Sequence, residues 1–229
     1  MEHNHNNIRE FSSVNNIKIV FALNLVFTIT EVIGGLFTNS IAILSDALHD
    51  FGDTLALGLS WYLEKYSRKE RSNIFSYGYR RFSLLAALVS SVVLVVGSIF
   101  VISEATARLF DPQHPNATGM MILAIIGIVV NGFAVIRLKK GRSFNETVIT
   151  WHLLEDVLGW LAVLVVSVII QFKDIHILDP ILSLLISCYV LFNVVKNLRK
   201  TMVLFLQGVP ENISIQAIET DLIKLSNVT

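Results

Sequence analysis

The sequence predicts an all-α membrane protein with six transmembrane helices, and three observations predict it. The 229 residues are 53% hydrophobic and only 16% charged, against about 25% charged in a typical soluble domain. Six segments of about 20 or more mostly apolar residues run through the chain, the length at which a helix crosses a bilayer. Lysine and arginine crowd into alternate connections between those segments, the pattern by which one side of a membrane protein is marked as cytoplasmic.

The same composition excludes other classes. A formal net charge of zero supplies no electrostatic footprint for nucleic acid. The one cysteine, Cys188, forms no internal disulfide and no thiolate cluster. The polar start, Met1-Glu2-His3-Asn4-His5-Asn6-Asn7, is not followed by the short apolar core and small-residue cleavage site of a removed signal peptide. The chain therefore divides into a polar cytoplasmic N-terminus (1–15), a six-helix transmembrane domain (16–207) and the start of a cytoplasmic C-terminal domain (208–229), with most of that last domain expected to be absent.

The spans are expected at 16–37, 40–62, 82–105, 117–138, 147–171 and 178–204. Between the second and third stand Lys65, Arg68, Lys69, Arg71, Arg80 and Arg81; around the connection of the fourth and fifth stand Arg137, Lys139, Lys140 and Arg142; Arg199 and Lys200 stand at the far end of the sixth. The opposite side has only Arg108 and Lys173, so both termini are expected in the cytoplasm.

The first span carries Asn24 and Glu31. Glu31 lies in its outer half beside Gly34-Gly35, which permit close helix approach. It either lines a cavity reaching the outside or is hydrogen-bonded between helices. The second and fifth spans hold the chemistry. Ser45-Asp46-Ala47-Leu48-His49-Asp50-Phe51-Gly52-Asp53 and Trp151-His152-Leu153-Leu154-Glu155-Asp156 each contain His-x-x-x-Asp, and residues four apart on a helix share one face. Two such helices facing each other offer two imidazole nitrogens and two carboxylates, a four-coordinate set that suits zinc. Ionisable groups within hydrocarbon are costly and mark function by default.

Asp46, His49 and Asp53 make one stripe, with Asp50 beside it; Glu155 lies alongside His152 and Asp156. The bland alternative is a polar stripe lining a water-filled crevice. Tetrahedral zinc has no room for every acid, so Asp46, Asp50 and Glu155, with Glu31, are read as ligand-orienting or proton-carrying residues. Asp53 and Asp156 each lie about nine residues, or about 14 Å, from the inner end of their helix. The two carboxylates are thus expected at matching depth, near mid-membrane.

The remaining spans read as scaffold. The third is apolar with small residues (Ser83, Ala86, Ala87, Ser90, Ser91, Gly97) that suit helix packing, and Glu104 and Arg108 are spaced to pair. Asn131 in the fourth is an interhelical hydrogen-bonding candidate, and His114 is a loop histidine without an assigned role. Asp179-Pro180 marks the start of the sixth span, with proline in the first turn. Ile215, Ile218, Leu222 and Leu225 then recur at helical spacing in a short amphipathic segment.

The two His-x-x-x-Asp motifs, in the second and fifth of six spans, resemble the cation diffusion facilitator family of zinc exporters. The likeness extends from about residue 16 to the end. Ser40-Ile41-Ala42-Ile43-Leu44-Ser45-Asp46-Ala47-Leu48-His49 is similar to the family's second helix, Tyr77-Gly78-Tyr79-Arg80-Arg81 to the approach to its third, and Asp179-Pro180-Ile181-Leu182-Ser183 and Gly208-Val209-Pro210 to its sixth helix and tail junction. The resemblance implies metal ligands at His49, Asp53, His152 and Asp156, zinc as the transported substrate with no organic cofactor, exchange against protons, a homodimer, and residence in the bacterial inner membrane. Three departures stand out. The chain ends where most members continue into a metal-binding α/β domain, Lys140-Gly141-Arg142-Ser143-Phe144-Asn145 replaces a histidine-rich loop, and Gln207 stands where many members have an acid.

The expected mechanism follows from competition: metal binds deprotonated ligands, so protons and zinc displace one another at the same groups. Two rivals come from other classes. An intramembrane zinc hydrolase would also use His and Asp ligands, but the sequence has no His-Glu-x-x-His and no evident general base beyond Glu155; a peptide-cleavage assay separates it. A transport-incompetent fragment or regulatory subunit is separated by an export assay.

Overall fold

The computed structural model describes residues 21–67, 82–138, 144–209 and 214–223, and over these the chain is helical, with no strand. The helices are α1 (Phe21–Thr38), α2 (Ile41–Ser67), α3 (Phe82–Phe110), α4 (Ala117–Leu138), α5 (Phe144–Lys173), α6 (Leu178–Phe205) and a short α7 (Ile215–Ile223). Among the described residues α1, α3, α4, α5 and α6 are long and apolar enough to cross a membrane. The 27 residues of α2 extend about 40 Å, but Asp46, Asp50 and Asp53 lower its hydropathy. The basic residues from Arg68 to Arg81, and Lys139, Lys140 and Arg142, lie outside the described residues, as does Leu225.

Only about a third of each span is buried within the chain, between 28% and 33%. Large apolar side chains such as Leu36, Val96, Phe100, Phe172 and Phe192 are exposed, as expected where hydrocarbon is the solvent and helix contacts rest on small residues and close packing. α4 packs along α5, while α3 packs along both α2 and α6; α2 and α5 touch at few places. Phe27 of α1 joins the first group through Met120, Ala124, Trp160 and Val163, its ring edge-on to Trp160 at 5.5 Å. Gly52 and Gly97 let α2 and α3 approach closely: a Cβ at either would meet the side chain of Leu94 or Leu48.

Local signals account for the helix ends. Asn39 takes the left-handed conformation (φ 53°) in the tight α1–α2 turn, a position asparagine tolerates. The Asn116 Oδ1 accepts from the Gly119 amide at 3.0 Å and caps α4. α3 continues to Phe110, past the expected end at 105, with Arg108 Nε 2.9 Å from Glu104 Oε1 as the spacing predicted. At the far end of α6, Gln207 (φ 60°) lets the Gly208 amide donate to the Val203 carbonyl at 2.8 Å, the closure of a helix by a left-handed residue.

Asp179-Pro180 falls in the first turn of α6, as expected, but the Asp179 side chain does not cap that helix, whose N-cap residue is Ile177 with no side-chain cap. Its carboxylate instead caps α2, accepting from Ser40 Oγ at 2.5 Å, from the Ile41 amide at 2.8 Å and from the Ala42 amide at 3.3 Å. The reason is that the orphan amides of α2 stand at the same end of the bundle, where a buried carboxylate needs donors. Asn131, a candidate for bonding between helices, is buried, and its Nδ2 lacks a partner.

Candidate metal centre

The site forms where α2 and α5 meet, and its geometry follows from helix periodicity. His49 and Asp53 sit one turn apart on α2, with His49 Nε2 3.7 Å from Asp53 Oδ2. His152 on α5 crosses the seam and places its Nε2 2.9 Å from that same Asp53 oxygen. The two imidazole rings stand 5.5 Å apart at 79°. His49, Asp53 and His152 are the one group of three or more metal-ligating side chains, among the described residues, whose donor atoms all lie within 4.8 Å of one another.

These distances suit a tetrahedral cation. With zinc–ligand bonds of about 2.0–2.1 Å, neighbouring donors are about 3.3 Å apart, and the observed 2.9 and 3.7 Å straddle that value. Asp156, expected as the fourth ligand, lies beside the group rather than in it. Its Oδ2 is 3.9 Å from His152 Nε2, it is buried, and that oxygen has no hydrogen-bond partner.

The other sequence-selected acids separate into two environments. Glu31, Asp46 and Asp50 are buried; both carboxylate oxygens of Glu31 and Asp50 and one of Asp46 lack hydrogen-bond partners. With Asp156 they form a set of carboxylates close enough to feel one another's charge. Glu31 sits between Asp50 of α2 and Trp160 of α5, within the bundle. Glu155 points the other way: it is exposed, its Oε1 accepts from the Tyr189 hydroxyl of α6 at 3.2 Å, and it lines a cavity.

That cavity, of about 480 Å³, has His49, Asp53 and His152 in its wall and continues past Asn193 and Asn197 to Thr201. It runs toward the end of the bundle where α6 finishes and α3 begins. The α6 residues were missed by sequence reasoning, although their recurrence every four positions was a readable signal. His114 stays outside the site, its ring edge-on to His176 at 4.3 Å.

Apolar helices long enough to span a membrane and a His–Asp cluster where two of the helices meet place the chain among helical membrane proteins that carry metal-ligating side chains between their helices. The chain belongs to the cation efflux family, also called the cation diffusion facilitators: the cation efflux transmembrane domain matches residues 17–206. It is 31% identical over 224 residues to zinc transporter ZitB of Pectobacterium atrosepticum, covering 96% of this chain and 70% of that protein. It is 30% identical to the metal cation efflux system protein CzcD of Cupriavidus metallidurans, covering 93% of this chain and 68% of that one. A cadmium, cobalt and zinc/H(+)-K(+) antiporter of Bacillus subtilis is 32% identical, with 95% and 70% covered. The protein is thus a multi-pass integral membrane protein, its spanning segments helical.

Proposed function

We propose that this protein exports divalent metal, zinc foremost, from the cytoplasm in exchange for protons. The observation that carries the reading is the pair of imidazole Nε2 atoms flanking Asp53 Oδ2 at 3.7 and 2.9 Å at the inner end of a polar cavity. Zinc enters this set with His49, Asp53 and His152 as ligands, and Asp156 completes it by closing about 0.6 Å toward the tetrahedral spacing. α2 serves as the sixth span, and the basic connections put both termini in the cytoplasm. The cavity then opens to the cytoplasmic side.

Coupling comes from the ligands themselves. Protons and metal compete for the same nitrogens and oxygens, so zinc displaces protons at cytoplasmic pH and protons displace zinc when the site faces outward. A site left empty and deprotonated keeps bare carboxylates in a low dielectric, which opposes uncoupled return. The names of the relatives support the metal and, for the Bacillus protein, the proton. The working unit is proposed to be a homodimer, and the apolar surface left uncovered by the chain offers room for a second copy.

The test is zinc flux into proteoliposomes with a proton gradient imposed or collapsed, beside Asp53→Ala and Asp156→Ala. Gradient-driven flux abolished in both variants supports the reading. Zinc binding without flux overturns export, and variants that transport like the unaltered chain overturn the site.

A further inference from the structure

Tyr189, Asn193, Asn197 and Thr201 recur every four residues along α6, and all four line the cavity that holds His49, Asp53 and His152. Residues at this spacing lie one above another on a single helix face, about 6 Å apart. The stripe therefore covers about 18 Å, more than half of a hydrocarbon core about 30 Å thick. The charged residues of this stretch, Lys196, Arg199 and Lys200, are not among the cavity-lining residues, so a row of hydroxyls and amides facing the cavity over that depth calls for an explanation.

We infer that this stripe is the path along which a divalent cation travels between the cytoplasmic mouth of the cavity and the His49–Asp53–His152 site, with Glu155 as the charge that draws it in. The inference rests on the exporter reading and adds to it the residues of access. Three observations support it. Among the described residues the cavity lining contains no lysine or arginine, and its carboxylates are Asp53 and Glu155, so the field of these residues favours cations. Glu155 is held on the path by the Tyr189 hydroxyl at 3.2 Å, which joins the stripe of α6 to the ligand-bearing α5. Asn193 and Asn197 supply neutral amide oxygens. Such groups replace water around an ion without holding it as a carboxylate does, the balance that passage requires.

The side of α6 away from the stripe supplies the control. Phe192 is exposed and Cys188 is a free, exposed cysteine; neither lines the cavity. On a Cys188→Ser background, Asn193→Cys, Asn197→Cys, Thr201→Cys and Phe192→Cys are treated in inside-out vesicles with a charged thiol reagent. Labelling of the first three and not of Phe192→Cys is expected. Separately, the Asn193→Leu/Asn197→Leu double variant is expected to raise the KM for zinc about tenfold, the scale of one lost hydrogen bond to a charged group. Its equilibrium Kd for zinc should stay within about twofold, because the ligands are untouched, and Asn193→Ser/Asn197→Ser should restore the KM. Uniform absence of labelling, an unchanged KM, or a Kd that rises with the KM overturns the path. If the unaltered chain moves no zinc, the exporter reading fails, whereas the labelling pattern still decides whether the stripe is open to water and ions.

Discussion

The Nε2 of His152 on α5 stands 2.9 Å from Oδ2 of Asp53 on α2, although these two helices touch at few other places. α2 is packed on α3 and α6, while α5 is packed on α4. The candidate ligands therefore straddle a seam between two well-packed groups of helices. A cation bound there ties the groups together, and a small shift along the seam changes the ligand geometry without breaking either core.

This placement makes Asp53 and His152 parts of one unit. Asp53→Ala and His152→Ala are each expected to weaken zinc binding at least about 100-fold, since either removes a donor from a site with few to spare. The double variant should be little worse than either single one, because the site is already lost. Zinc titration of the purified protein at fixed pH measures all three. Additive losses would show that the two residues bind independently.

Asp156 is expected to behave differently. Its Oδ2 lies 3.9 Å from His152 Nε2 and outside the compact group of three. In the same titration Asp156→Asn should cost about tenfold, against about 100-fold for Asp53→Asn, the range over which ligand-supporting contacts tune a metal site. Equal losses would make Asp156 a full ligand in the resting conformation.

The parts of this arrangement readable from sequence are those that repeat at short range. His49–Asp53 and His152–Asp156 share the four-residue spacing that a helix converts into a common direction, so the two faces could be written down before the fold was known. The departure of Asp156 from the group could not, because it depends on how α5 is rotated about its axis, which packing against α4 and α1 decides. Asn193 and Asn197 escaped notice because two neutral amides barely dent the hydropathy of α6. Asp179 marked the start of α6 correctly, yet its donors lie far away in sequence, at Ser40, Ile41 and Ala42. Local rules mark a helix start without saying which helix's amides the carboxylate there will cap.

That long-range cap is itself testable. Asp179 is buried, and Asp179→Ala leaves Ser40 and the first amides of α2 without their acceptor. The expected loss is about 1–3 kcal/mol of stability, read as a lower unfolding temperature in detergent. Asp179→Asn should fall between, since its amide oxygen still accepts while its NH2 group faces a donor. A variant as stable as the parent would mean that water replaces the carboxylate.

The packing of α4 on α5 turns on Gly127. A Cβ there would meet Cδ2, Cε2 and Cγ of the Trp160 ring at 2.4–2.6 Å, and that ring is fully buried at the centre of the cluster containing Phe27, Met120 and Val163. A rigid ring enclosed on all sides cannot swing aside as an exposed leucine would, so the helices must separate. Gly127→Ala gains about 1 kcal/mol of helix propensity and loses about 1–3 kcal/mol to overpacking, leaving a net destabilisation. Gly132→Ala on the same helix meets nothing within 4 Å and should keep the propensity gain. Opposite shifts of unfolding temperature are therefore expected from one chemical change at two positions on α4. Trp160 lies one turn beyond Asp156 on α5, so Gly127→Ala should also weaken zinc binding while Gly132→Ala leaves it unchanged.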